Sequence, residues 1–342
     1  MPIKGAASTD SGVLIAMSKL NSLQLTENQS IAQIGPGNRW GQVYEWLSPY
    51  NLYVVGGRYF PVGVPGLSLG GGISYFSQQR GWAANNIVNY EVVTANSKVI
   101  QVNAQSHSDL FWALKGGSNN FGIVTRFDCK TYPTNQIFGG SATVRTPQLG
   151  DFLNAVTSFV ERGGGSDDPK AAIVAAILIT PATKTVEAYV NLFHDGDDPA
   201  PHALQNFTKI PTNDSNYKLL TFNNYTEETV IYGDRSLRYV LVLIQRIILV
   251  PTNYGVLTRQ NWYMTSIKAS ARSIQLINET VTSAGLSMKN VSDCGLGISM
   301  QPITQSFVQA ARDAGGDAID LDPADGSFLC KPYIPFHDTS LC

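Results

Sequence analysis

The chain has 342 residues, of which 43% are hydrophobic and 15% are charged, and its formal net charge is −2. This length and composition are typical of a globular protein with two domains and a buried core. The near-neutral charge argues against a nucleic-acid partner, and the lack of about 18 consecutive apolar residues argues against a transmembrane helix.

The first elements of the chain are predicted from the spacing of its apolar residues. Alternation over residues 13–17 and 30–34 predicts two short strands, whereas residues 39–47 have the period of an amphipathic helix. Residues 87–93 and 99–103 predict a hairpin across an Asn-Ser turn. These elements predict an α+β unit with mostly antiparallel strands, which Pro133 closes.

A short helix is predicted within this unit at residues 110–114. Asp109 precedes the helix and is expected to be its N-cap, because a carboxylate there accepts hydrogen bonds from free backbone N–H groups. Phe111 and Trp112 are expected in the core.

The second half predicts a sheet with helices against one face. Strands are expected at residues 140–144, 171–180, 185–193 and 261–270, and helices at residues 148–160, 201–208 and 267–284. In the strand at 185–193, Val186 and its alternate neighbours would face the core, which puts Tyr189 on the opposite face. The apolar run at residues 240–250 is either a buried strand or part of an insertion.

The most informative stretch is the glycine-rich run at residues 61–86, PVGVPGLSLGGGISYFSQQRGWAANN. A backbone without Cβ atoms permits close approach of another molecule, as in loops that bind phosphate or a flat cofactor through N–H groups. The spacing matches neither the dinucleotide-binding G-x-G-x-x-G motif nor a P-loop. The alternative is a glycine-rich turn in a β-rich protein.

A second glycine cluster, DLFWALKGGSNNFGIVTR at residues 109–126, and the GGR at residues 56–58 add to this pattern. Together with the run at 61–86 they resemble the berberine-bridge-enzyme-like FAD-linked oxidoreductases. In wider terms they are similar to the flavin-binding fold of vanillyl-alcohol oxidase and p-cresol methylhydroxylase. The resemblance covers about the first 130 residues and continues more weakly through YGDRS at residues 232–236 and MQPI at residues 300–303.

The resemblance implies a two-domain flavoprotein fold of the α+β class. Residues 1–133 would be a partial FAD-binding domain, its second subdomain only. Residues 134–342 would be the substrate-binding domain, an antiparallel sheet covered by helices on one face, with an atypical insertion at about 240–260. The family's R-G-G-G-H motif does not occur in the chain, and residues 328–342 depart from the family pattern. We therefore expect the N-terminal subdomain and the C-terminal segment of the family to be missing.

The resemblance also implies FAD as the cofactor, with backbone contacts from the glycine-rich run and further contacts from two later segments. FAD would be bound non-covalently, since Ala84 offers no thiol and no linking histidine of an R-G-G-G-H motif is present. The implied cofactor-binding residues are Val62, Gly63, Gly66, Leu67, Gly70, Gly71, Gly72, Asn85, Asn86, Ile87, Gly122, Ile123 and Val124.

Two residues are candidates for the chemistry. Tyr189 is a candidate catalytic base, although a half-buried sheet tyrosine is the alternative, and Gln301 is a candidate polar contact to the substrate. The four cysteines, Cys129, Cys294, Cys330 and Cys342, lack C-x-x-C spacing, and the four histidines lack ligand spacing. We therefore expect no metal site, and free thiols or at most one disulfide.

The implied function is FAD-dependent oxidation of a small organic alcohol, sugar or natural-product intermediate, with O2 as the electron acceptor. One alternative is a truncated or degenerate remnant without catalysis, and another is a flavin-bound scaffold for non-redox cyclisation. The partner is then a small-molecule substrate. Oligomeric state and localisation stay open, because six N-x-S/T sequons suggest secretion whereas the first residues do not form a signal peptide.

Overall fold

The computed structural model describes residue 9 and residues 11–212, 214–228, 258–260, 263–288 and 295–338, without the side chains of 258–260, 263–264 and 331–338. The apolar run at 240–250 and most of the predicted insertion at 240–260 lie outside the described residues.

The first part of the chain forms one sheet in which every pairing is antiparallel, in the order β1-β2-β6-β4-β5 with β3 also on β6. The strands are β1 (Leu23–Leu25), β2 (Ile31–Ile34), β3 (Leu52–Val54), β4 (Ile87–Val93), β5 (Val99–Asn103) and β6 (Ile123–Pro133). The helices are α1 (Trp40–Leu47), α2 (Val64–Leu69), α3 (Ser77–Arg80) and α4 (Ser108–Leu114).

The second part forms a larger antiparallel sheet, in the order β10-β7-β9-β8-β13-β14-β11 with β12 also on β14. The strands are β7 (Gln136–Val144), β8 (Ala171–Thr180), β9 (Thr185–Asp195), β10 (Lys218–Thr221), β11 (Thr258–Gln260), β12 (Tyr263–Lys268), β13 (Gly295–Ile303) and β14 (Phe328–Asp338). The helices are α5 (Leu149–Val160), α6 (Gln205–Thr208), α7 (Ala271–Ser287) and α8 (Gln305–Asp313), and residues 222–228 are also helical.

The mixed α+β class is confirmed. The two sheets divide between the end of β6 at Pro133 and the start of β7 at Gln136. The assignment of residues 1–133 and 134–342 as separate domains stays a prediction.

The two faces of the second sheet pack against different layers. Val186, Ala188, Val190 and Leu192 of β9 lie in a core with α5 and α7, as the alternation predicts. On the other face, Phe193 is fully buried in the core of the first sheet, stacked with Tyr75. This second face is the one that meets the glycine-rich part of the chain.

A bridging segment, residues 304–321, joins the two sheets. It starts directly after β13, contains α8 and ends against the first sheet. There the N–H of Ala318 donates to the carbonyl oxygen of Lys115 at 3.0 Å. The side chain of Asp317 accepts a hydrogen bond from Asn85 Nδ2 at 3.1 Å.

Several local predictions are wrong for physical reasons. Residues 13–17 form no strand, and Val13 is 87% exposed, because no described strand lies beside them. His107, in left-handed conformation with φ 59°, is the N-cap of α4, so Asp109 lies in the first turn, where its charge complements the helix dipole. Trp112 is 48% exposed, whereas Phe111 packs against the core as expected.

Other predicted boundaries shift by a few residues. Helix α7 begins at Ala271 rather than at residue 267, because the chain pairs with β14 up to Lys268 and the hydroxyl of Ser270 then accepts from Ser273 N. The predicted helix at 201–208 is a 3-10 turn followed by the short α6.

Candidate functional site

Two glycines of the glycine-rich run face open space. An added Cβ on Gly66 would meet no atom within 4 Å, and on Gly63 it would meet only Pro65 Cδ at 3.9 Å. Gly66 lies in α2 and is exposed. Because no protein contact requires glycine here, the free backbone at Gly63 and Gly66 fits a surface against which a ligand lies.

The fold itself favours glycine at positions 71 and 72, whether or not a ligand binds there. Their φ values are +91° and +81°, which side-chain-bearing residues rarely adopt. A Cβ on Gly71 would lie 2.5 Å from Ile319 Cδ1 of the bridging segment, and one on Gly72 would lie 2.3 Å from Leu67 Cδ2. Gly70 is intermediate, since its Cβ would lie 3.3 Å from the carbonyl oxygen of Gly66.

The side chains of Asn85 and Asn86 are occupied by protein contacts. Asn85 Oδ1 accepts from Trp82 N at 2.8 Å, and its Nδ2 donates to the bridging segment. Asn86 Nδ2 donates to the carbonyl oxygens of Arg80 and Trp82, both at 2.9 Å, and its Oδ1 accepts from the Tyr132 hydroxyl at 2.7 Å. Any cofactor contact at these positions must therefore come from the backbone.

The other predicted cofactor-binding residues differ in exposure. Val62 and Leu67 are half-buried, Ile87 and Val124 are buried in the core of the first sheet, and Ile123 is 37% exposed. Gly122 has φ +148°, and a Cβ there would lie 2.8 Å from the carbonyl oxygen of Val93. Their contact with FAD stays a prediction.

Tyr189 and Gln301 share the face of the second sheet that meets the first sheet. Tyr189 in β9 is the register partner of Ala176 in β8, which in turn pairs with Ser299 in β13. Tyr189, Ala176 and Ser299 are only half-buried, so this end of the face is open, whereas Phe193 farther along β9 is fully covered.

Gln301 brings an unused acceptor to this face. The residue is 7% exposed, its Nε2 donates to Ser299 Oγ, and its buried Oε1 has no partner among the residues that the structure describes. A buried acceptor left unpaired costs about 1–3 kcal/mol. The position therefore fits a group that donates a hydrogen bond to Gln301 Oε1 when a ligand is bound.

Sequence reasoning missed a polar cluster beside these residues. The Tyr225 hydroxyl lies 2.7 Å from Asn191 Oδ1, and Asn191 Nδ2 donates to the Tyr75 hydroxyl at 3.3 Å. The guanidinium carbon of Arg58 lies 5.9 Å from the centre of the Tyr75 ring. The GGR at residues 56–58 could have indicated this cluster. An arginine that directly follows two buried glycines has its position fixed by the surrounding protein.

Burial controls the charge states in this cluster. It lowers the pKa of the Arg58 guanidinium, and it raises the pKa of Tyr225 well above its ordinary value. Burial also raises the pKa of the Cys330 thiol. At neutral pH the cluster is therefore one cation among neutral hydroxyl and thiol groups.

The clefts on the outer surface lie elsewhere. One of about 470 Å³ is lined by residues between the end of α5 and the start of α6, including Gly163, Asp168 and His202. None of its lining residues belongs to the glycine-rich run or to the face that carries Tyr189, so it does not mark the predicted site.

Among the described residues, no group of three or more His, Cys, Asp or Glu side chains could hold a metal ion. Cys129 and Cys330 are buried free thiols, while Cys294 and Cys342 lie outside the described residues. No helix in the described ranges is long and apolar enough to span a membrane.

Comparisons with known proteins agree with this geometry. A family model described as an FAD binding domain matches residues 2–103. The FAD-dependent monooxygenase prx3 of Penicillium roqueforti is 43% identical over 339 residues, which is 97% of this chain and 62% of that protein. The chain thus spans less than two thirds of the length of this relative.

Solved structures with low identity show the same fold. The 6-hydroxy-D-nicotine oxidase of Arthrobacter nicotinovorans matches with a TM-score of 0.70 at 18% identity, over 98% of this chain and 68% of that one. The G164A variant of berberine bridge enzyme matches with a TM-score of 0.68 at 14% identity, over 97% and 63% of the two chains.

These findings confirm the resemblance, the two-domain fold class and FAD as the cofactor. The positions at which this chain would contact FAD and a substrate stay predictions. The chain thus has a segment that matches the FAD binding domain model, is similar to FAD-dependent oxidoreductases over nearly its whole length, and has the fold of berberine bridge enzyme.

Proposed function

We propose that the protein oxidises a small organic alcohol, sugar or natural-product intermediate and passes the electrons to O2. The observation that carries the proposal is the half-open polar face of the second sheet, which carries Tyr189, Ser299 and Gln301 and contacts the glycine-rich run through Tyr75. When bound, FAD supplies the hydride and oxygen chemistry itself, so the protein has to hold it and orient the substrate. The names of the relative and of the solved neighbours, a monooxygenase and an oxidase, support this class.

Two side chains have proposed roles toward the substrate. Tyr189 Oη would take the proton of the substrate hydroxyl, because it lies at the half-open end of the face, where a substrate can reach it. Gln301 Oε1 would accept a hydrogen bond from the substrate, which satisfies an acceptor that the described protein atoms leave unpaired. Neither role requires a metal ligand.

Anaerobic titration of the FAD-loaded protein with a panel of small alcohols, sugars and phenols tests the function. Bleaching of the flavin absorbance followed by recovery in air supports oxidation with O2. Failure to retain FAD would instead support a non-catalytic remnant, and turnover without bleaching would support a scaffold for non-redox cyclisation.

Variants test the two residues. Tyr189→Phe should slow bleaching by about 10²-fold or more, the usual contribution of a positioned base. Gln301→Leu should raise the substrate concentration at which bleaching is half-maximal. Tyr50→Phe, an exposed tyrosine in the first sheet's half of the chain, is the matched control and should change neither.

We further propose that FAD is held non-covalently. Acid precipitation should release all flavin into the supernatant. Flavin fluorescence in the washed pellet would contradict this.

A further inference from the structure

We propose that Arg58 binds an acidic oxygen of the substrate, a carboxylate or a phenolate, at the half-open face of the second sheet. This inference rests on the proposed function and narrows its substrate class from neutral alcohols and sugars to organic acids and phenols.

The first ground is that Arg58 has no protein partner for its charge. Among the described residues, no carboxylate forms an ion pair with it and no acceptor receives a hydrogen bond from it. Arg80 also lacks a carboxylate partner among the described residues and lies over the Tyr132 ring, but not every arginine of the first sheet's half of the chain is unpaired. Arg126, for example, contacts Asp128 at 2.7 Å and Glu91 at 3.0 Å.

The second ground is where the guanidinium lies. It is near the ring of Tyr75 and interacts electrostatically with Tyr225 and Cys330. Cys330 in β14 is the register partner of Gln301 in β13, so the two side chains project from the same face of the sheet. Arg58 is thus brought to the face that carries the unpaired acceptor of Gln301.

The third ground is that the surroundings hold Arg58 in place without neutralising it. Asn191 links the hydroxyls of Tyr75 and Tyr225, which fixes the aromatic ring beside the guanidinium. The phenols and the thiol around it are neutral at neutral pH, because burial raises the pKa of Tyr225 and of Cys330. A partly desolvated cation with fixed neutral neighbours is complementary to an anion.

The geometry of the group restricts the ligand class further. A guanidinium presents a planar fork of N–H donors that matches two oxygens of a carboxylate and is always charged. A neutral sugar or alcohol would gain little from it. An acid or phenol would place its charged oxygen at Arg58 and still donate a hydrogen bond to Gln301 Oε1 through another group.

The test uses benzoate as the probe and benzamide as its neutral counterpart. Calorimetric titration of the full chain measures both dissociation constants whether or not FAD is bound, so a failure of the proposed oxidation does not conceal the result here. Arg58→Met keeps the length of the side chain and removes the charge, and Arg58→Lys restores the charge without the fork. Arg272→Met, on the exposed face of α7, controls for loss of one positive charge.

We expect wild-type protein to bind benzoate more tightly than benzamide. Arg58→Met should weaken benzoate binding about 10- to 100-fold, the loss of one or two charge-assisted hydrogen bonds, and should leave benzamide within about twofold. The benzoate dissociation constant of Arg58→Lys should lie between those of the wild type and Arg58→Met, and that of Arg272→Met should equal the wild-type value.

Three results would overturn the proposal. If the wild-type protein does not bind benzoate, the proposed subsite is absent. Equal loss of benzoate and benzamide in Arg58→Met would mean that Arg58 only supports the fold. Unchanged benzoate binding with a shifted flavin midpoint potential would mean that the charge serves the cofactor instead.

Discussion

The glycine-rich run contacts both the bridging segment and the half-open face, and the two regions differ in how completely their space and polar groups are filled by protein. Around Asn85, Asp317 and Ile319, the space is filled and the amide and carboxylate groups have protein partners. At Gly66 the space is open, and on the half-open face the buried Gln301 Oε1 has no hydrogen-bond partner among the described residues. The first region holds the two sheets together, and the second is where we propose that ligands bind.

The unpaired acceptor of Gln301 lowers the stability of the fold, a cost that it shares with seven other buried side-chain atoms of the described residues. An unpaired buried acceptor costs about 1–3 kcal/mol, a sizeable part of the roughly 5–15 kcal/mol by which a domain is stable. Such a cost is expected where a ligand later supplies the missing contact. Four variants test the contrast, from the largest expected effect to the smallest.

Gly71→Val should destabilise the fold most. Its Cβ would overlap Ile319 and its φ of +91° disfavours any side chain, so we expect a loss of about 3–5 kcal/mol in the free energy of unfolding by urea. The double variant with Ile319→Ala should recover the part that comes from the overlap. If Gly71→Val lowers FAD affinity and leaves stability intact, the glycine serves the ligand after all.

Asn85→Leu should destabilise by about 3 kcal/mol. It leaves Trp82 N without its acceptor and removes a donor from the buried Asp317 carboxylate. Asn154→Leu, at an exposed position of α5, is the control and should change stability by less than about 0.5 kcal/mol. Similar effects of the two substitutions would remove the distinction between the bridging region and the surface.

Gly66→Val should lower FAD affinity and leave the fold intact. The new side chain projects into open space in α2, where valine costs no more than glycine, so we expect unfolding within about 0.5 kcal/mol of wild type. The FAD dissociation constant should rise at least about tenfold, equivalent to about 1.4 kcal/mol. Gly150→Val, equally open in the first turn of α5, should change neither quantity. Unchanged FAD binding by Gly66→Val would show that the open space is only surface.

Glu91→Gln should have the smallest effect, because its polar partners lie at the surface. Hydrogen bonds from Thr125, then from Gln101, and the charge of Arg126 lower the pKa of Glu91. A carboxyl whose folded pKa is lowered stabilises the protein above the unfolded pKa of about 4.3, and this contribution is lost as the pH falls through the folded pKa.

The expected loss at pH 7 is therefore less than about 1 kcal/mol, and it should disappear toward pH 3. Urea unfolding of Glu91→Gln and of the exposed control Glu45→Gln at both pH values measures it. A loss that persists at pH 3 would mean that charge is not the cause.

Local patterns predicted most elements of the fold, since alternation and helical spacing depend on neighbouring residues. They gave the correct type for α1, β4, β5, β8 and β9. Trp112 was placed in the core on its residue type alone, although exposure depends on which layer covers α4. Residues 13–17 lacked a partner strand that no local pattern could supply.

The candidate site was predicted in part. The glycine density predicts a ligand surface, which stays a prediction. The sequence could not separate Gly66, whose Cβ position faces open space, from Gly71, whose Cβ position is blocked by the side chain of Ile319, far away in the chain. The sequence could not show that the Asn85 and Asn86 side chains bind Asp317 and Tyr132, because these partners are far away in the chain. Contact of the two asparagines with the cofactor stays a prediction. No role could be predicted for Arg58 from the sequence, because it depends on the paired residues Gln301 and Cys330 of the other sheet.

The bridging segment also bears on how the two sheets separate. It continues directly from β13, and its far end is tied to the first sheet by the Ala318 N–H and by Asp317, whose Oδ1 also accepts from Ile319 N at 3.0 Å. Widening the gap between the sheets must therefore break these bonds together. The amide of Ala318 should then exchange with solvent deuterium only through this cooperative opening, and its exchange rate would set an upper limit on how fast a tightly enclosed ligand can leave.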